Sequence, residues 1–120
     1  MSQSILIADD SSTMRKIILR SLLSLGADQV VEASDGAEAV EKFVPGHFRL
    51  VLTDWNMPHK TGLEVVQEIR AKDKAVPIVM ITTEAERGRV IEAIKAGVSD
   101  YLVKPFTAEA LKEKLEKHGL

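Results

Sequence analysis

Leu50-Val51-Leu52-Thr53-Asp54-Trp55-Asn56-Met57-Pro58 opens with three apolar residues in four and then delivers a carboxylate, an aromatic, an amide and a proline. The apolar run predicts a buried strand, and the proline predicts a turn just beyond it. A core segment that carries an acid at its own tip invites the question of what meets Asp54 there.

Four more apolar runs flank this one. Ile5-Leu6-Ile7-Ala8 stops at Asp9-Asp10, and Val30-Val31-Glu32-Ala33 alternates weakly, as an edge strand does. Ile78-Val79-Met80-Ile81 follows Pro77 and ends at Thr82, and Tyr101-Leu102-Val103 stops at Lys104-Pro105. Helical spacing fills the intervals. Met14, Ile17, Ile18, Leu22 and Leu25 predict one stripe, closed by Gly26, and Val40, Phe43 and Val44 predict another after an Asp35/Glu38 start. Thr61/Glu64 and Thr83/Glu86 have capping-box spacing ahead of Leu63, Val66 and Ile69 and of Val90, Ile91 and Ile94, with Gly97 ending the latter helix. Thr107 predicts the cap of a last helix with Ala108, Leu111 and Leu115 inward; Lys112, Glu113, Lys114, Glu116 and Lys117 predict a mostly solvated face.

Strands that read as continuous apolar runs, alternating with amphipathic helices, indicate a parallel sheet covered on both faces. The expected fold is α/β, a (βα)5 doubly wound five-stranded parallel sandwich built with right-handed crossovers. With 120 residues and 45% hydrophobic content, residues 1–120 make one domain. Sixteen basic against 18 acidic residues, a net charge of -2, give no electrostatic reason to expect nucleic acid. The absence of cysteine excludes disulfides and thiolate chemistry and fits a reducing compartment. Met1-Ser2-Gln3-Ser4 lacks the charged start of a signal peptide, and no apolar run approaches the ~18 residues of a membrane span. A soluble cytoplasmic protein is expected.

In an open parallel sheet the residues that follow the strands share one edge, where ligands bind. Here they are Asp9 and Asp10, Asp54, Thr82 and Lys104. Carboxylates about 4 Å apart repel by ~4 kcal/mol per pair at an effective dielectric near 20, so the cluster requires a cation. Oxygen donors without His or Cys favour Mg²⁺, which is often shared with a phosphate. A phosphoryl group neutralised by Mg²⁺ and Lys104 can pass to a carboxylate, and Asp54, on the presumed central strand, is the best placed acceptor.

Taken singly, each residue has a plainer reading. Asp9 and Asp10 could cap a helix, Asp54 could open a turn, and Thr82 suits any strand. Lys104 would be a solvated strand-end lysine and Tyr101 a half-buried edge aromatic. Their coincidence at successive strand ends favours a site.

Together with Gly62, Thr82, Tyr101 and Lys104-Pro105-Phe106, the Asp54 to Pro58 run resembles the receiver domains of two-component response regulators, most closely their single-domain chemotaxis members. The resemblance covers essentially the whole chain. It implies a flavodoxin-like strand order 2-1-3-4-5, phosphorylation of Asp54 by a histidine kinase, and Mg²⁺ held by Asp9, Asp10, Asp54 and the backbone carbonyl of Asn56. It also implies a switch through Thr82, with Thr83 beside it, Tyr101 swinging inward, Lys104 pairing with the phosphoryl group, and a cis bond before Pro105. Asn56 and Glu84 would tune dephosphorylation. A protein partner, such as a flagellar switch, would bind the face of the fourth helix, fifth strand and fifth helix, where Lys114 lies; the protein would be a monomer rather than an enzyme. The chain departs from the pattern at His59-Lys60-Thr61, where the family loop is more acidic, and at Thr83, where a small residue is usual.

A phosphorelay intermediate or phosphate sink would share these features. A Mg²⁺-dependent phosphohydrolase lacks support, with no second acid two residues after Asp54 and no extended loop for a substrate pocket. A nucleotide- or flavin-binding module would require a glycine-rich loop where Asp9-Asp10-Ser11-Ser12 stands.

Overall fold

Each apolar run of the sequence becomes a strand, and each strand leads into a helix. The computed structural model describes residues 3–120, so Met1 and Ser2 of the signal-peptide reading lie outside the described residues. The elements run β1 (Ser4–Ala8), α1 (Ser12–Ser24), β2 (Val30–Ala33), α2 (Gly36–Lys42), β3 (Phe48–Thr53), α3 (Gly62–Lys72), β4 (Ile78–Thr82), α4 (Arg87–Ala96), β5 (Asp100–Val103) and α5 (Ala108–Lys117). All four strand pairings are parallel, in the order β2-β1-β3-β4-β5. β3 is thus central, with every residue from Leu50 to Asp54 buried.

Alternate residues of the strands feed two cores. Ile5, Ile7, Leu50, Leu52, Val79 and Ile81 pack with Ile18 and Leu22 of α1 and with Leu111 and Leu115 of α5. Leu6, Val51, Ile78 and Met80 pack on the other face with Ala39 of α2, Val65, Val66 and Ile69 of α3 and Ala93 of α4. Covering both faces leaves only the sheet edges for chemistry.

Local signals set most helix ends. Asp35, Thr61 and Thr107 each accept the backbone N–H of the third residue on, and Thr61 with Glu64 forms a complete capping box. Gly26 and Gly97 follow α1 and α4 in the left-handed region, at φ 92° and 116°.

Several expected details change. Thr83 does not cap α4; the chain runs on to Glu86, whose side chain makes no cap hydrogen bond. Within α4 the sole buried residue is Ala93, half-buried Val90 flanks it, and Ile91 and Ile94 are exposed. The stripe is displaced because Val98, just past Gly97, buries in the same core and fixes the phase of the last turn. α2 ends at Lys42, since Phe43 is already extended, and Val44 before Pro45 turns outward. Ile17 and Ala108 are likewise exposed, whereas Val65 is buried in place of half-buried Leu63.

Candidate functional site

At the carboxyl edge of the sheet, β1 and β3 deliver their terminal acids side by side. The Asp54 backbone N–H donates to the Ala8 carbonyl at 2.9 Å, continuing the ladder one step past the strand. This fixes Asp54 against Asp9, and carboxylate oxygens of Asp9, Asp10 and Asp54 all lie within 4.8 Å of one another. Asp9 is 1% exposed and Asp54 9%, while Asp10 faces solvent. The α1 cap is Ser11, whose hydroxyl accepts the Met14 N–H; the plainer reading of the acids as cap residues therefore fails for this helix.

Lys104 comes from the far side of the sheet, just after β5. Its Nζ donates to Asp9 Oδ2 at 2.8 Å and to Asp54 Oδ2 at 3.1 Å. Burial works to lower its pKa, but the bond to Asp9 and the charges of Asp54 and Asp9 outweigh it and hold the ammonium above its ordinary value. The remaining oxygens are also fixed, Asp9 Oδ1 by the Ser11 N–H at 2.9 Å and Asp54 Oδ1 by the Trp55 N–H at 2.6 Å. Three carboxylates around one ammonium leave negative charge in excess. An all-oxygen donor set with that excess fits a hard divalent cation such as Mg²⁺.

The loop after Asp54 is held by a close approach. Gly62 N–H donates to the Trp55 carbonyl at 2.7 Å, and a Cβ on Gly62 would stand 1.9 Å from the Asp54 carbonyl oxygen. Only glycine fits there without moving the acceptor strand. In the departing segment His59 adopts φ 70°, Lys60 pairs with Glu68 at 2.6 Å, and Thr61 caps α3.

Thr82 ends β4 fully buried, and Thr83 is exposed. Thr82 Oγ1 accepts the Glu84 N–H at 3.3 Å, and the half-buried Tyr101 hydroxyl donates to the Glu84 carbonyl at 2.5 Å. Burial raises the Tyr101 pKa, helped by the charges of Glu84 and Asp54. Asn56 Nδ2 donates to Glu84 Oε2 at 3.0 Å, so the two expected tuning residues touch. The Lys104-Pro105 bond is cis.

Two features went unread in the sequence. Arg89, in the first turn of α4, lies over the Trp55 ring, its Cζ 5.4 Å from the centroid. Lys114 and Lys117, read as a solvated face, instead converge on Asp100 at 2.9 and 3.3 Å, joined by His118 at 3.0 Å. Burial would raise the Asp100 pKa, but bonds from Lys114, His118, the Tyr101 N–H and Lys117 pull it far below the usual carboxylate range. The i, i+3, i+4 spacing of Lys114, Lys117 and His118 was visible; their partner on β5 was not.

Residues 5–116 match the response regulator receiver domain family. The chain is 51% identical over 115 residues to the chemotaxis protein CheY1 of Helicobacter pylori, covering 93% of each chain. It is 50% identical over 115 residues to the chemotaxis protein CheY of Pseudomonas aeruginosa, covering 94% of this chain and 93% of that one. Among solved structures, the Vibrio cholerae chemotaxis protein CheY4 superposes with a TM-score of 0.85 at 34% identity, covering 98% of each.

Proposed function

The chain belongs to the response regulator receiver family, and on that premise we propose that residues 1–120 act as a single phosphorylation-activated switch of the chemotaxis type. The carrying observation is the buried Asp54 carboxylate, sharing Lys104 with Asp9 and lying within 4.8 Å of both Asp9 and Asp10.

Asp9, Asp10, Asp54 and the Asn56 backbone carbonyl would hold Mg²⁺, which supplies charge neutralisation for an incoming phosphoryl group. An Asp54 carboxylate oxygen attacks phosphorus of a phosphohistidine; the new O–P bond forms as the N–P bond breaks, and the freed imidazole takes a proton from solvent. Lys104 offers its ammonium to the phosphoryl oxygens. Thr82, fixed through the Glu84 N–H, turns its hydroxyl toward them, and Thr83 beside it flanks the motion. Tyr101, tied to the Glu84 carbonyl, moves with that loop.

Adding about two negative charges biases an equilibrium between two arrangements of this network. The output face comprises α4, β5 and α5, where Ile91, Ile94 and Val103 are exposed large apolar residues. A protein effector binding there, a flagellar switch being the fitting kind, carries the signal. The protein works as a cytoplasmic monomer, in keeping with the absence of any helix long and apolar enough to cross a membrane among the described residues.

Acetyl phosphate with Mg²⁺ is the direct test. Stoichiometric labelling located to Asp54 by mass spectrometry is the expected result. Repeated turnover of phosphomonoesters, or label on another residue, would overturn the assignment.

A further inference from the structure

Glu84 joins Thr82, Tyr101 and Asn56. Its N–H meets Thr82 Oγ1 at 3.3 Å, its carbonyl accepts from Tyr101 at 2.5 Å, and its Oε2 accepts from Asn56 at 3.0 Å. The other carboxylate oxygen, Oε1, faces Arg89 Nε at 4.0 Å. Arg89 in turn lies 5.4 Å from the centroid of Trp55, the residue bonded to Asp54 Oδ1. One guanidinium therefore touches both sides of the site, the β3 side through an aromatic face and the β4 side through a carboxylate. A planar cation does both at once; a lysine ammonium, a point charge on a flexible stem, does not.

From this we infer that Arg89 is a positioning residue that sets the lifetime of the phosphoryl group, acting through Glu84 and Asn56; the inference rests on Asp54 being the acceptor. The Asn56–Glu84 bridge joins the β3 loop to the β4 loop at 3.0 Å, and in this inference it screens Asp54 from the hydrolytic water. That water forms a P–O bond while the bond from phosphorus to the Asp54 oxygen breaks, releasing inorganic phosphate and a proton to solvent. With Arg89 steering Oε1, Glu84 presents Oε2 to Asn56 and the bridge stays closed. Without it the carboxylate is free to rotate, Asn56 is released and water enters. Glu92 Oε1, 3.5 Å from Arg89 Nη1, holds another nitrogen of the guanidinium.

The experiment labels wild type, Arg89→Ala and Arg89→Lys with acetyl phosphate and Mg²⁺, removes the donor, and follows loss of the Asp54 label. An exposed ion pair predicts a lifetime about 3- to 5-fold shorter in Arg89→Ala, and about 2-fold shorter in Arg89→Lys, which keeps the charge but not the planar guanidinium. Added salt should shorten the wild-type lifetime toward that of Arg89→Ala, whose own lifetime stays flat, because exposed charges are screened. Trp55 emission of the unlabelled protein should shift in Arg89→Ala at an unchanged melting temperature. Equal lifetimes in all three proteins overturn the inference, as does a shortened lifetime accompanied by a matching fall in melting temperature. Wild-type protein that takes no label at all overturns instead the acceptor assignment beneath it.

Discussion

Two clusters of charge sit at opposite balances in this molecule. At Asp54, two of three clustered carboxylates, Asp9 and Asp54, share one ammonium, Lys104; at Asp100, one carboxylate gathers Lys114, Lys117 and His118. Both tie distant parts of the chain together. Lys104 bridges 95 residues to Asp9, whereas Lys114 reaches only 14 residues back to Asp100. The second cluster is saturated, its carboxylate held ionised by the cations around it, and it anchors the end of α5 to the start of β5. The first is unsaturated: it retains negative charge in a buried setting where such charge is destabilising unless a ligand arrives. Imbalance under burial, rather than the number of charges, separates a site from a staple.

Asp54→Asn should break the first cluster most completely. Labelling by acetyl phosphate is expected to vanish while the circular dichroism spectrum stays that of the wild type, since one of three repelling carboxylates is neutralised. Residual label at the wild-type level would show that the acceptor is elsewhere.

Next in size, Lys104→Ala removes the cation that pairs with the Asp9 and Asp54 carboxylates. The Mg²⁺-induced change in Trp55 fluorescence should survive and move to lower Mg²⁺ concentration, because a competing positive charge has gone. Phosphate-dependent binding of the effector should be lost. A fluorescence titration that needs more Mg²⁺ than the wild type would contradict the idea that ammonium and metal compete for the same oxygens.

For the saturated cluster the expected effect is on stability. Asp100→Asn should cost about 2 kcal/mol at pH 7 in urea denaturation. The folded pKa of Asp100 is depressed, so its contribution is present above the unfolded value of about 3.9 and is lost as pH falls below it. The gap between wild type and Asp100→Asn should therefore close in acid. A gap that holds constant down to pH ~2, below the unfolded carboxylate range, would remove the charge explanation.

Smallest of all, Lys117→Ala should change stability by less than about 0.5 kcal/mol, since the Lys117 side chain is 63% exposed. Lys114→Ala, with that side chain 30% exposed, should exceed it. Lys114 is also the closer of the two, at 2.9 Å against 3.3 Å, so the reverse order would mean that neither burial nor distance governs these pairs.

Much of the site was readable because it is written at strand ends. Once the runs ending at Ala8, Thr53, Thr82 and Val103 were strands of one parallel sheet, Asp9, Asp54, Thr82 and Lys104 had to share an edge. Caps at Asp35, Thr61 and Thr107 were readable for a similar reason, since each needs only a side chain and an amide three residues away. α4 was not readable. Its apolar residues Val90, Ile91 and Ile94 suggested a buried stripe, but which side a helix buries is decided by the surface it lands on. There, Ala93 and Val98 meet the core and the larger residues face outward. The late start of α4 was hidden by Thr83, whose spacing to Glu86 suggested an earlier cap.

By itself, then, the sequence determined the alternation of elements, the fold class and the acids that the strands deliver, because periodicity and capping are local. Strand order came from the family resemblance. Tertiary structure alone decided the phase of α4, the partner of Lys114 and the contacts of Glu84. Each of these joins residues whose encounter is set by how two elements pack, and no spacing along the chain encodes that distance.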